Sequence, residues 1–157
     1  MNMSRKGKFT TAGLLAVALV SGSLLLSLPA GAAAETLKYN IHFQNAEFYE
    51  VDADSSGSKS AGDYEAGEFV LDKGGDAAGA FEFVCTRTAA EPKRDQCVGT
   101  AKIRGRGMIS AQGVQRAHGE KFVASITGGT GEFENAGGTL YLNFSNRVST
   151  ATFRISN

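Results

Sequence analysis

The stretch Thr139-Leu140-Tyr141-Leu142-Asn143-Phe144 decides the fold class. Leu140, Leu142 and Phe144 alternate with Thr139, Tyr141 and Asn143. A period of two places the first three on one face of an extended strand and the other three on the opposite face. The next run, residues 148–155, repeats the pattern with Ala151, Phe153 and Ile155, after a tight turn at Asn146-Arg147. Working towards the N-terminus, the same alternation marks residues 37–49 (Leu37, Tyr39, Ile41, Phe43) and 68–72 (Phe69, Leu71). It also marks residues 80–88, where Phe81, Phe83 and Cys85 face away from Glu82, Val84 and Thr86. Shorter runs at 96–104, 107–112 and 121–127 complete a set of eight.

Turn residues separate these runs. Lys73-Gly74-Gly75-Asp76 is a tight turn, and residues 52–63 form a polar loop rich in Ser and Gly. The chain has 20 glycines but only 2 prolines, and no window carries a stripe of period 3.6. The expected fold is therefore all-β: a single eight-stranded antiparallel β-barrel. A meander of that length closes on itself because closure removes the unpaired edges. Eight strands enclose an interior that side chains fill or that holds one small ligand.

The first 34 residues read differently. Arg5, Lys6 and Lys8 precede an apolar run from Leu14 to Leu28, followed by Pro29 and the small residues Ala30-Gly31-Ala32-Ala33-Ala34. Basic, apolar and small-residue zones in this order are those of a cleavable signal peptide. The apolar run is about 15 residues, short of the roughly 20 a permanent span requires. Ala32, Ala33 and Ala34 each suit the last position of the leader. The expected organisation is a signal peptide at 1–34 and a barrel domain at 35–157, secreted or periplasmic, with no permanent membrane span after cleavage.

Three of the 16 basic residues lie in the leader, which leaves 13 against 16 acidic residues and a net charge near −3. That balance argues against a nucleic-acid partner, which requires a basic footprint to neutralise phosphates. The two cysteines, Cys85 and Cys97, both lie in the exported part and near the closing end of one hairpin. An oxidising compartment favours their pairing as a disulfide; the alternative is two buried free thiols. Two cysteines and two distant histidines, His42 and His118, show no metal-ligand spacing, so no metal site is expected. Both histidines read as surface residues.

The most distinctive segment is Ile126-Thr127-Gly128-Gly129-Thr130-Gly131-Glu132-Phe133-Glu134-Asn135-Ala136-Gly137-Gly138. No Gly-Lys-Ser/Thr follows it and its spacing is not that of a dinucleotide fingerprint, so a phosphate loop is rejected. It reads as a long turn between two strands. The segment resembles the glycine-rich loop of the allene oxide cyclase and dirigent barrel superfamily. Gly62-Asp63 ahead of a strand, Ile109-Ser110-Ala111-Gln112-Gly113, and the closing strand Thr150-Ala151-Thr152-Phe153-Arg154-Ile155 resemble that family in the same order. The resemblance implies an eight-stranded barrel that self-associates as a dimer or trimer. It also implies that the barrel binds a small apolar molecule and steers its cyclisation or isomerisation with no cofactor. The chain departs from the plant cyclases in lacking a Glu-x-Asn pair on the first strand, where the nearest carboxylate is Glu47, and in carrying Phe69 where they place Asn.

Three readings of function follow: a cofactor-free cyclase or isomerase, a non-catalytic lipocalin-like binding barrel, and a structural or interaction protein whose barrel is filled. Glu82 is the candidate catalytic residue, because it sits mid-strand between apolar neighbours. If it faced the interior, burial would raise its pKa and suit it to acid–base work. Tyr39, Phe43, Phe69, Phe83 and Tyr141 are the candidate ligand-binding residues.

Overall fold

The computed structural model describes residues 34–43, 47–116, 121–145 and 147–156. The expected leader, apart from Ala34, lies outside them, as do His118 and Asn146. The described residues contain no helix and nine strands: β1 (Glu35–His42), β2 (Phe48–Val51), β3 (Tyr64–Lys73), β4 (Asp76–Ala89), β5 (Arg94–Ile103), β6 (Gly107–Gln115), β7 (Lys121–Gly131), β8 (Gly137–Asn143) and β9 (Ser149–Ser156).

From β3 to β9 each strand pairs with the next in antiparallel register, and β9 pairs with β1. Pairing of β1 with β3 closes the ring: Asn40 stands opposite Asp72, Ile41 opposite Leu71 and His42 opposite Val70. The result is a closed eight-stranded antiparallel barrel with one additional strand, β2. The expected first strand, 37–49, is thus two strands. Both lie on the edge of β3, β1 along its second half and β2 along its first, from Phe48 opposite Gly67 to Val51 opposite Tyr64.

The alternation read from the sequence marks the inward face. Leu37, Tyr39 and Ile41 of β1, Ile109 and Ala111 of β6, Leu140 and Leu142 of β8, and Ala151, Phe153 and Ile155 of β9 are all buried in one continuous core. Their side chains lose water on closure, and that loss drives the fold.

The glycine-rich segment departs from its expected form. It is not one long turn: β7 stays paired to β6 as far as Gly131, with Thr127 left over in a bulge where Ser110 meets Gly128 and Ala111 meets Ile126. Only residues 132–136 turn. Phe133 is buried there, with the Arg106 guanidinium 4.8 Å above its ring. Arg106 also holds Glu35 through two hydrogen bonds of 2.9 and 2.8 Å and Glu132 through one of 2.7 Å. This end of the barrel is therefore closed by a tied plug. At Gly138, which follows, φ is +122° and an added Cβ would overlap the carbonyl of Arg154, so only glycine suits the start of β8.

Cys85 and Cys97 stand directly opposite each other on β4 and β5, with Cα atoms 4.0 Å apart, and form a disulfide. Replacing both with Ser should lower the unfolding free energy by roughly 2–4 kcal/mol, because the cross-link restricts the unfolded chain. Urea denaturation of the oxidised protein and the double variant measures it; an unchanged midpoint would show that the bridge contributes nothing.

Candidate functional site

The half of the barrel away from the Arg106 plug is hollow. A cavity of about 510 Å³ lies there, walled by Phe43, Phe48, Phe69, Phe81, Phe83, Phe122 and Phe144, with Leu140 and Leu142 between them. Space exists because small residues face the larger ones. Gly99, Ala111 and Ala124 line the same wall, and an added Cβ at Gly99 would overlap the Phe81 ring.

Four of the phenylalanines close into a ring of contacts. Phe43 meets Phe48 at 6.2 Å between ring centroids, Phe48 meets Phe83 at 5.9 Å, Phe83 meets Phe69 at 6.1 Å, and Phe69 meets Phe43 at 5.9 Å. Phe69 also stacks on Phe81 at 5.1 Å, and Phe43 touches Phe144 at 6.1 Å. Spacings of this size are favourable for offset and edge-on ring contacts. The chain assembles the ring by bringing Phe43, just after β1, and Phe48, at the start of β2, against Phe69 of β3 and Phe83 of β4.

The polar end of the cavity lies where β3 and β5 begin. Glu50, Glu65, Lys93, Asp95 and Gln115 line it, beside the disulfide. Asp95 is buried and receives Arg87 Nε at 3.0 Å and Lys93 Nζ at 3.2 Å. Burial pushes the Asp95 carboxyl upward, but the Arg87 and Lys93 hydrogen bonds outweigh it and hold its pKa below the usual value. The Arg87 guanidinium is raised by its hydrogen bond to Asp95. At the rim, the Lys59 ammonium pairs with the exposed Glu50 and lowers its pKa.

The candidates from the sequence divide. Phe43, Phe69 and Phe83 line the cavity together. Tyr39 does not: it is buried towards the plugged end against Phe153, 6.2 Å away, and burial raises its pKa. Tyr141 faces outward, with the Arg154 guanidinium 4.9 Å over its ring. Glu82 is also outside. It is exposed between Glu68 and Thr100 on the outer surface, because it alternates with the inward Phe81 and Phe83. It lacks the interior position that the catalytic reading required. His42 is exposed, as expected, with Asp72 3.7 Å away.

Residues that sequence reading missed are Glu65 and Asp95 in the polar end and Arg87, which pairs with Asp95. Their signal was weak, since Glu65 lies between Tyr64 and Ala66 ahead of the run that first marked the strand.

A second hollow of about 290 Å³ shares Glu50, Glu65 and Asp95 and runs on to the 52–63 loop. In that loop the carboxylates of Asp52, Asp54 and Asp63 offer oxygens within 4.8 Å of one another. Together with Ser56 and Gly57 they stand in the spacing of a twelve-residue calcium loop, so these are the residues that could hold a hard cation. The same carboxylates cap the loop itself. Asp52 accepts from Gly57 N at 2.8 Å, Asp54 from Ser56 N at 2.9 Å and Asp63 from Ala53 N at 3.0 Å. The Ser56 hydroxyl and N–H hold the Asp54 carboxyl down to about 2.

No family profile matches the sequence, and no curated protein matches it. Solved structures do match in fold. A pyocyanin demethylase superposes with a TM-score of 0.68 at 20% identity, over 78% of this chain and all (100%) of that one. A pterocarpan synthase dirigent protein superposes with a TM-score of 0.61 at 16% identity, over 80% of this chain and 94% of that one. The Diels–Alderase AbmU from Streptomyces koyangensis gives 0.59 at 10% identity, over 80% and 70%. The chain has the fold shared by dirigent proteins and these cyclase barrels.

The Arg87–Asp95 pair yields a prediction. Arg87→Met leaves a buried carboxylate with Lys93 alone and should cost roughly 3 kcal/mol, the scale of breaking a buried pair. Because the folded Asp95 pKa is depressed, its contribution is present above the ordinary carboxylate value of about 4 and is lost as pH falls through the folded value. Thermal melts from neutral to acid pH should show a shallower acid loss in the variant than in the wild type. Parallel curves would contradict the assignment.

Proposed function

We propose that this barrel binds a small, largely apolar molecule in the phenylalanine-walled cavity and steers its cyclisation or isomerisation by confinement. The carrying observation is the cavity itself: about 510 Å³, walled mainly by phenylalanine and aliphatic side chains and polar at one end. Small-molecule sites fall in the range of roughly 300–1,000 Å³ with this lining. A rigid wall of rings selects one conformer of a flexible ligand and keeps water from it, so the rate gain comes from positioning. The fold shared with a pterocarpan synthase dirigent protein and a Diels–Alderase supports the reading. The reading calls for no cofactor.

The disulfide supports an extracytoplasmic location, where such bonds persist. No helix among the described residues is long and apolar enough to cross a membrane. A second reading, a binding barrel that holds its ligand unchanged, is favoured by the outward position of Glu82, which leaves the expected acid outside the cavity. Turnover of the bound ligand separates the two.

The cavity is tested with N-phenyl-1-naphthylamine, a neutral dye that fluoresces on leaving water. It should bind at one site per chain. Ala111→Trp fills the space and should weaken binding at least about tenfold, near 1.4 kcal/mol, while circular dichroism confirms the barrel. Absence of saturable binding to the wild type would overturn the reading.

A further inference from the structure

One carboxylate in the cavity wall has no partner among the described residues. Glu65 is half-buried and lines the cavity at its polar end. It forms no hydrogen bond or ion pair with any described residue. Alternation along β3 turns Glu65, Gly67 and Phe69 to the same side, so the carboxylate stands in line with the phenylalanine ring. Its opposite residue on β4 is Cys85, and its opposite residue on β2 is Glu50.

The cations near it are engaged elsewhere. Lys59 pairs with Glu50, while Arg87 and Lys93 both pair with Asp95. A ligand that fills the cavity covers Glu65 and strips its water. Covering an unpaired carboxylate is costly unless the ligand returns a charge or a donor. Two carboxylates from facing strands, Glu50 and Glu65, also repel an anionic ligand. The ring of Phe43, Phe48, Phe69 and Phe83 presents aromatic π-systems beside this carboxylate. Aromatic faces attract cations, and an aromatic cage recognises a substituted ammonium group in this way.

We infer that the cavity takes a ligand with an apolar or aromatic body and one cationic nitrogen, a protonated amine or an N-alkylated ring, held by Glu65 against the phenylalanine ring. The inference rests on the ligand-cavity reading and names the class of ligand that the cavity selects. Glu65 is the anchor: it fixes which end of the molecule enters first and so orients the rest along the rings.

The test uses three ligands on one bicyclic body: 2-naphthylmethyl-trimethylammonium, 2-naphthalenemethanol and 2-naphthoate. Each displaces N-phenyl-1-naphthylamine from the wild-type protein at neutral pH. The cation should displace the dye at a concentration about tenfold below the alcohol, and the carboxylate should be the poorest of the three. Glu65→Gln, checked for folding by its thermal melt, should bring the cation and the alcohol together. Glu82→Gln, altered on the outer surface, should keep them apart. Equal displacement by cation and alcohol in the wild type overturns the inference, and so does a cation preference that survives Glu65→Gln. If Glu65→Gln does not fold, Glu65→Asp replaces it: a shortened carboxylate should narrow the gap between cation and alcohol, and an unchanged gap overturns the role of Glu65. A failure of the dye itself to bind strikes instead at the cavity reading beneath.

Discussion

Strand β3 offers one free edge to two partners, and the rest of the site depends on how that edge is divided. β1 takes the second half and closes the barrel through only three residue pairs. β2 takes the first half. Backbone N–H and C=O groups along β3 must all be paired or left to water, so a single partner could have served. Dividing the edge instead places two aromatic rings, Phe43 and Phe48, and the Glu50 carboxylate in the cavity lining.

The opposite end is governed by a different constraint. Arg106 lies in the turn between β5 and β6, yet it reaches Glu35 at the start of β1, Glu132 beyond β7 and the ring of Phe133. Bidentate contact with a carboxylate and stacking on a ring are what a planar guanidinium does well. The Glu35 carboxyl is lowered by this hydrogen bond. With Phe133 sealed beneath Arg106, this half of the barrel is a packed core. The other half, where Gly99, Ala111 and Ala124 face the rings, stays hollow. The barrel thus has one packed end and one hollow end.

Charge is distributed in keeping with that division. At the hollow end, Asp95 has two cations and Glu50 has one, while Glu65 has none among the described residues. Paired charges here hold the strand ends in place, and Glu65 stands apart from them at the cavity wall. Glu82 stands apart from this end. It is exposed beside Glu68 on the outer surface.

By itself the sequence determined the all-β class, the eight-strand meander and the inward face of most strands, because alternation at period two is local and each run of Phe, Leu and Ile declares its own buried side. It also determined the disulfide partners, since Cys85 and Cys97 fall near the ends of neighbouring strands. The same alternation already set Glu82 apart from Phe81 and Phe83; which of the two sides faced the cavity needed the closed barrel. Tyr39 and Phe43 share a face of one run, yet only Phe43 reaches the cavity. Their difference is distance along the barrel axis from Arg106 and Phe133, which no local pattern encodes. Glu65 became visible only through register: its place beside Glu50, Cys85 and the phenylalanine ring comes from pairing between strands far apart in the chain. Periodicity is a property of neighbours in sequence, whereas a cavity is made by what long-range pairing brings together and what it leaves empty.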